Sequence, residues 1–212
     1  MESLAAQTVP VDDVLVVDAG SRDRTVALAR AWGARVLLGG GLPGVSRNYG
    51  AEWARGEWLL FLDADVVLPP DAVETAFREV RRRGLDAASC AFAPDRGGAL
   101  TRLHHRLSWE YFHLASRVGW CHSIGAFLLV RRSLHDAVGG FDPGVLVAED
   151  QDYVLRLNRA GRYGYLRRPM VRIAVRRFEQ QGFVRMSLKW LGIELYRLVL
   201  GEIRSNRFRY FG

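Results

Sequence analysis

The stretch "EWLLFLDAD", residues 57–65, constrains the fold more than any other part of this chain. Its apolar residues stand at consecutive positions and leave no polar face, which is typical of a central strand that is covered on both sides. Asp63 and Asp65 follow the run with a single alanine between them. We therefore expect a buried strand that ends in two carboxylates at one edge of a sheet.

Segments typical of strands alternate with segments typical of helices along most of the chain. Besides "EWLLFLDAD", the predicted strands are "DDVLVVD", "ARVLL", "LDAASCAF" and "GAFLLVRR". The predicted helices end at Gly33, Gly56, Gly84 and Gly161. A cap at Ser46 is expected to begin the second helix, and a capping box from Asp71 to Glu74 to begin the third. The alternation predicts an α/β sandwich around a mostly parallel sheet.

Three aspartates are expected at the carboxyl ends of strands, where α/β sheets bind their ligands. Asp18 ends the first predicted strand, and Asp63 and Asp65 end the central one. Alternate residues of an extended segment point to the same side, so Asp63 and Asp65 can share one ligand. Two carboxylates open to solvent suit Mg²⁺ or Mn²⁺. The alternative is a turn aspartate beside a helix-entry aspartate, with no metal.

The helix predicted in "EDQDYVLRLNRAG" places one carboxylate on its apolar face. Asp150 continues the apolar line through Val154 and Leu157, whereas Asp152 lies with Arg156. A carboxylate at the wall of a cleft can act as a general base. The alternative is that these acidic residues only complement the positive end of the helix dipole.

The formal net charge of +7 favours anionic partners such as phosphates, nucleotides or an acidic membrane surface. The alternative is a basic face that is merely solvated. No zinc-finger or RNP-type pattern is present, so we expect no nucleic-acid partner. Two cysteines form no disulfide framework, and the first residues show no secretory signal. We expect a cytoplasmic protein, with peripheral contact at the inner face of the membrane as the alternative.

Two segments have the spacing of amphipathic helices. One is formed by Leu100, Leu103, Leu107, Tyr111, Leu114 and Val118, and the other lies within residues 183–209, where leucines and aromatic residues mix with arginines. The second segment can lie in a membrane interface, pack on the main domain or pair with a second copy of the chain. Docking on the domain, or in a homodimer, is the favoured interpretation.

Four blocks in order resemble the family 2 glycosyltransferases of the GT-A fold: "VLVVDAGSRDRT", "GVSRNYGAEWARGEWLLFLDAD", "VGGFDPGVLVAEDQDYVLRLNRAG" and "VRRFEQQG". The resemblance implies a Rossmann-like α/β/α sandwich, with a glycosyltransferase domain at residues 1–180 and a basic amphipathic helix and tail at 181–212. The family begins with an earlier strand and helix. We therefore expect this chain to lack the first strand and part of the first helix.

The resemblance also implies a role for each site residue. Asp150 matches the catalytic base of an inverting displacement. Asp63 and Asp65 match the DxD motif, with Asp65 chiefly on Mg²⁺ or Mn²⁺ and Asp63 nearer the ribose. Asp18 matches a position in the nucleoside pocket, and Arg47 matches an arginine that lines the nucleotide side of the cleft. Arg176 or Arg177 matches a basic position that holds the pyrophosphate of a nucleotide-diphospho-sugar.

Two departures from the family pattern affect this interpretation. Ala19 replaces one of two paired acidic residues, and Phe178 stands where the family has tryptophan. One alternative is therefore an inactive remnant of the fold that serves as a binding domain, and another is a nucleotidyltransferase. The donor sugar is not specified by the sequence, and the acceptor is a glycan, a lipid or a small molecule.

Overall fold

The computed structural model describes residues 1–176 and 182–205 of the 212-residue chain. The helices are α1 (Glu2–Ala5), α2 (Thr25–Ala31), α3 (Pro43–Trp53), α4 (Ala72–Arg83), α5 (Ala99–Arg117), α6 (Arg132–Ala137), α7 (Glu149–Ala160) and α8 (Phe183–Leu200). The strands are β1 (Leu15–Asp18), β2 (Arg35–Leu38), β3 (Trp58–Leu62), β4 (Val66–Val67), β5 (Ala87–Pro94), β6 (Phe127–Arg131) and β7 (Tyr163–Ile173).

The strands form two sheets. β1 and β2 pair in parallel, and the remaining strands form a five-stranded sheet in the order β3-β6-β5-β7-β4. In the larger sheet β5 and β7 are parallel, whereas β6 runs antiparallel between β3 and β5, and β4 runs antiparallel to β7. The predicted α/β alternation is confirmed, and the insertion of β6 makes the central sheet mixed.

β3 is covered on both faces, as its apolar run predicts. Leu59 and Phe61 belong to a buried cluster with Tyr153, while Trp58 and Leu60 pack against a second cluster on the other side of the sheet. The strand nevertheless lies at the edge of the five-stranded sheet rather than at its centre. The prediction of a central position is therefore wrong. An apolar run indicates that both faces of a strand are covered, but it does not indicate how many neighbouring strands pair with that strand.

Two helix beginnings also differ from expectation. α3 begins at Pro43 and not at a Ser46 cap, because the fixed φ of proline suits the first helical position. The capping box of α4 does not form: the Thr8 hydroxyl donates to Glu74 Oε2, and the Thr75 hydroxyl donates to Asp71 Oδ2. The end of α4 is as predicted, since Gly84 adopts the left-handed conformation with φ 58°.

β7 is a long strand that the sequence patterns did not indicate, and the two-residue β4 was not indicated either. The composition of β7 explains the first omission. Its segment, "YGYLRRPMVRI", contains a proline and three arginines, a composition that hides the alternation of a strand. It pairs in parallel with β5 along nearly the whole of that strand, with a bulge between Cys90 and Ala91.

A buried ion network fixes α8 against the rest of the protein. Arg197 is 6 % exposed, and its Nε and Nη2 each donate to a Glu202 carboxylate oxygen at 3.0 Å. Its Nη1 donates to Gln151 Oε1 on α7. Ile193 and Ile203 pack with Val147 beside the start of α7.

The described part of the chain has no helix that is both long and apolar enough to cross a membrane. The division of the chain at residue 180 stays a prediction.

Replacement of Arg197 by methionine is expected to lower the free energy of unfolding by about 3–5 kcal/mol, because the change leaves Glu202 and Gln151 without their buried cation. Chemical denaturation measures this loss. Arg185→Met is the matched control, since Arg185 is an exposed arginine of the same helix and its loss should change stability by less than about 0.5 kcal/mol. Equal losses for the two variants would contradict the assigned role of the network.

Candidate active site

Three separate segments meet around the guanidinium of Arg47 on α3. Its Nη1 donates to Glu149 Oε1 at 2.7 Å, and its Nη2 donates to Asp63 Oδ1 at 2.8 Å. Asp63 follows β3, and Glu149 begins α7. The Arg47 side chain is only 14 % exposed and lies over the ring of Phe141, 5.3 Å from its centroid. One buried cation therefore joins the end of β3 to the start of α7.

Asp150 lies next to this cation because Gly125 leaves room for both side chains. Gly125 has φ 71°, and a Cβ added to it would lie 2.7 Å from Arg47 Nη2 and 3.3 Å from Asp150 Oδ2. Any larger residue would need a rare backbone conformation and would also push these two groups apart. Gly125 thus allows the carboxylate of Asp150 to share the surroundings of Arg47.

Burial and neighbouring charges shift the pKa values of Asp150, Asp63 and Arg47. Burial raises the pKa of Asp150 well above its usual range, the negative charge of Glu149 adds to the shift, and Arg47 opposes it. Burial also raises the pKa of Asp63, although Arg47 counteracts the effect. Burial disfavours the charged form of Arg47, yet the three carboxylates together raise its pKa. The arrangement holds one cation among three acids, and the upward shift in pKa is large for Asp150.

The start of α7 has an unusual backbone. Ala148 precedes the helix with φ 60°, a left-handed conformation that is uncommon for a residue other than glycine. Such conformations persist where the surrounding structure imposes them, and here Val147 forms a β-bridge with Ile203, which follows α8. The backbone N–H of Gln151 donates to Asp150 Oδ1 at 2.9 Å. The α8 side of the protein therefore helps to fix the position of the Asp150 carboxylate.

Asp65 lies outside the Arg47 cluster, exposed to solvent two residues after Asp63. Asp63 and Asp65 supply hard oxygen ligands of the kind that Mg²⁺ and Mn²⁺ prefer, and these ions bind through one or two carboxylates plus water and phosphate oxygens. Within residues 1–176 and 182–205, no group of three or more His, Cys, Asp or Glu side chains could hold a metal. The pair therefore fits a metal that a diphosphate ligand helps to hold, and does not fit a metal cage made of protein ligands alone.

Asp18 lies at the end of β1, and the hydrogen bonds of its carboxylate stay within its own turn. Its Oδ2 accepts from the backbone amides of Gly20 at 3.1 Å and Ser21 at 3.0 Å. Hydrogen bonds from the Ser21 side chain and backbone lower the pKa of Asp18, so this carboxylate is ionised. Arg176 is exposed, and Arg177 lies outside the described residues. The structure thus brings Arg47, Asp63 and Asp150 together, and it does not add Asp18 or Arg176 to their contacts.

The model of the family "Glycosyl transferase family 2" matches residues 1–139 of the sequence. The chain belongs to glycosyltransferase family 2. An uncharacterized glycosyltransferase of Haemophilus influenzae is 26 % identical over 167 residues, which are 74 % of this chain and 55 % of that protein. The uncharacterized glycosyltransferase YibD of Escherichia coli K12 is 33 % identical over 96 residues, 42 % of this chain and 28 % of that protein. The chain thus spans about half, or less, of these curated relatives.

Solved structures of similar shape establish the fold of this family 2 chain. TarS 1–349 of S. aureus in complex with UDP-GlcNAc superposes with a TM-score of 0.66 at 22 % identity, covering 93 % of this chain and 59 % of that one. Mannosyltransferase PcManGT of Pyrobaculum calidifontis, in complex with GDP-Man and Mn²⁺, superposes with a TM-score of 0.65 at 20 % identity, covering 90 % and 59 %. The expected GT-A fold is confirmed.

Sequence reasoning misses two members of the site. For Glu149 the sequence suggests only a complement to the helix dipole, but Glu149 is an ion-pair partner of Arg47. Gly125 carries no pattern of its own, since its importance comes from the two side chains that approach it. No local pattern singles out Glu149, because its partner Arg47 lies 102 residues away in the sequence.

Proposed function

We propose that this family 2 protein transfers a sugar from a nucleotide-diphospho-sugar to an acceptor hydroxyl, with inversion at the anomeric carbon and with the help of a divalent metal. The observation that carries the proposal is the cluster in which Arg47 joins Asp63 to Glu149 beside Asp150. It sets a carboxylate of raised pKa next to the carboxylate pair that suits a metal–diphosphate ligand.

Asp150 acts as the general base in this proposal. The acceptor oxygen forms a bond to the anomeric carbon, the bond from that carbon to the diphosphate oxygen breaks, and the hydroxyl proton passes to a carboxylate oxygen of Asp150. A single displacement of this kind inverts the configuration. The raised pKa of Asp150 suits a base whose task is to accept a proton at neutral pH.

Asp65, assisted by Asp63, would hold Mg²⁺ or Mn²⁺. The metal when bound would supply positive charge that stabilises the departing diphosphate. PcManGT is in complex with GDP-Man and Mn²⁺, and TarS 1–349 is in complex with UDP-GlcNAc. Both neighbours therefore support a nucleotide-sugar donor, and the first also supports a metal.

Arg47 orients Asp63 towards the donor and limits the repulsion between Asp63, Glu149 and Asp150. Asp18 would contact the nucleoside, and Arg176 or Arg177 would contact the pyrophosphate. The acceptor can be a glycan, a lipid or a small molecule in this scheme, because the proposed chemistry needs only its hydroxyl.

Calorimetric titration with UDP, GDP and their sugars, with and without Mn²⁺, tests the proposed donor site. We expect one of these ligands to bind in the presence of Mn²⁺, and we expect the Asp65→Ala variant to bind it at least about tenfold more weakly, because the variant loses the main metal ligand. Asp12→Ala is the matched control, since Asp12 is an exposed aspartate elsewhere on the chain. Binding that survives both chelation and the Asp65 substitution would rule out the metal role.

A further inference from the structure

The apolar stripes of α5 and α8 point towards solvent. On α5 the core side is formed by His105, Phe112 and Ala115 instead. The stripe residues recur every three or four positions, and all are about half exposed or more: Leu100, Leu103, Leu107, Tyr111, Leu114 and Val118 along α5 and just beyond it, and Val184, Leu188, Leu191, Leu195, Leu198 and Val199 on α8. Two outward apolar faces of this length need an explanation, because exposed apolar patches of this kind mark binding surfaces.

The two stripes lie on neighbouring helices. The Tyr111 hydroxyl of α5 is 3.1 Å from His122 Nε2, and Nδ1 of the same histidine is 3.8 Å from Glu194 Oε1 on α8. Tyr111 is itself 49 % exposed, and Glu194 is flanked on its helix by the exposed Leu191 and Leu195. His122 therefore bridges the middle of one stripe to the middle of the other.

The charge beside the stripes is of one sign. Exposed arginines accompany both faces, namely Arg102, Arg106 and Arg117 on α5 and Arg185 on α8. Each helix contains a single acidic residue. Glu110 pairs with Arg167 from β7, and Glu194 faces His122 and Arg197 in the interior. Both outward faces are thus apolar and cationic.

We propose that the outward faces of α5 and α8 together form a docking surface for a lipid bilayer that contains anionic lipid. A helix with an apolar face and basic flanks lies in the plane of the membrane interface, with its leucines among the acyl chains and its arginines at the headgroups. A second copy of the chain fits less well. In a symmetric antiparallel pair the arginines of α5 would face the same arginines of the partner, with no exposed carboxylate on the described residues of these faces to compensate.

Flotation of the full chain with lipid vesicles tests the docking surface. The probes are vesicles of phosphatidylcholine alone and vesicles that contain about 30 % phosphatidylglycerol. We expect the chain to float with the anionic vesicles, to float much less with the neutral ones, and to be released as the salt concentration rises. Arg106→Gln is expected to weaken binding to the anionic vesicles selectively.

Single substitutions locate the surface. Leu107→Glu and Leu195→Glu change side chains that are 60 % and 54 % exposed. Each is expected to lower the vesicle-bound fraction about tenfold, because a leucine that would lie among the acyl chains is replaced by a negative charge, which the anionic lipid repels. Leu28→Glu is the matched control, at a leucine of α2 that is 50 % exposed, and it should bind as the unmodified chain does. Thermal melts and nucleotide binding identify any variant that has lost its fold.

Three outcomes would overturn the proposal. One is an unmodified chain that floats with neither kind of vesicle, and another is flotation that the Leu107 and Leu195 substitutions leave unchanged. The third is a dimer in sedimentation velocity that Leu107→Glu dissociates in the absence of any vesicle binding, which would assign this face to a second copy of the chain.

Discussion

Asp150→Asn is expected to lower kcat for sugar transfer by about 10²–10⁴-fold, the usual contribution of a positioned general base, while the affinity for the donor stays nearly unchanged. The amide keeps the size of the carboxylate but cannot accept the proton of the acceptor hydroxyl. Release of the nucleoside diphosphate from the donor that binds measures the rate, with water or a sugar as acceptor. A variant that turns over at the original rate would exclude Asp150 as the base.

The pH dependence follows from the raised pKa of Asp150. The base works only when ionised, so the rate should rise with pH through this raised pKa, and the rising limb should be absent from the residual activity of Asp150→Asn. The raised pKa has the opposite effect on stability, which should fall as the pH rises. The ionised group costs folding free energy above its folded pKa, and this cost disappears below the pKa of the unfolded chain. At neutral pH the variant should therefore melt at the same temperature as the original chain, or higher.

Arg47→Met is expected to lower the free energy of unfolding by about 3 kcal/mol at neutral pH, because the loss of a largely buried cation leaves Glu149 unpaired, whereas solvent partly screens Asp63, whose side chain is 38 % exposed. Glu149 and Asp63 would then face each other and Asp150 without a cation. Chemical denaturation measures the loss. The loss should shrink as the pH falls through the raised pKa values of Asp63 and Asp150, because protonation of these two carboxylates removes their repulsion. Arg47→Met should also weaken donor binding, since Asp63 loses the guanidinium that orients its carboxylate.

Two variants serve as controls for Arg47. Arg47→Lys keeps the charge but cannot donate from two separate nitrogens to Glu149 and Asp63, so an intermediate loss is expected. Arg35→Met breaks the ion pair of Arg35 with Asp13, in which the arginine is 33 % exposed against 14 % for Arg47, and should cost about 0–1 kcal/mol. An Arg47→Met variant that is as stable as Arg35→Met would contradict the central position assigned to Arg47.

Local patterns predicted most of the elements that carry the site. The strand before Asp63, the helix at Glu149 and the inward position of Asp150 all follow from apolar spacing, because spacing reports which side of an element is covered. The Asp152–Arg156 pair, at 2.7 Å, likewise follows from one turn of helix. These are properties of single segments, and a sequence contains them directly.

Features that depend on two distant segments were not predictable in the same way. The contact between Arg47 and Glu149 spans more than a hundred residues of sequence, and Gly125 matters only because both Arg47 and Asp150 approach it. The edge position of β3 depends on which strands pair, which its own residues do not encode. The leucine spacing of α5 predicts an amphipathic helix, but it does not tell whether the stripe faces a core or an outside partner.

The anomeric configuration of the product tests the central claim most directly. Real-time proton NMR of a nucleotide-sugar that binds, incubated with the chain and diamagnetic Mg²⁺, shows which bond breaks and which anomer forms first. The account predicts that a nucleoside diphosphate appears together with a sugar of configuration opposite to that of the donor. A sugar of unchanged configuration would contradict the single displacement at Asp150. Release of a sugar 1-phosphate, by cleavage between the two phosphates of the donor, would instead identify nucleotidyl transfer, and a donor that binds without ever being consumed would identify an inactive remnant of the fold.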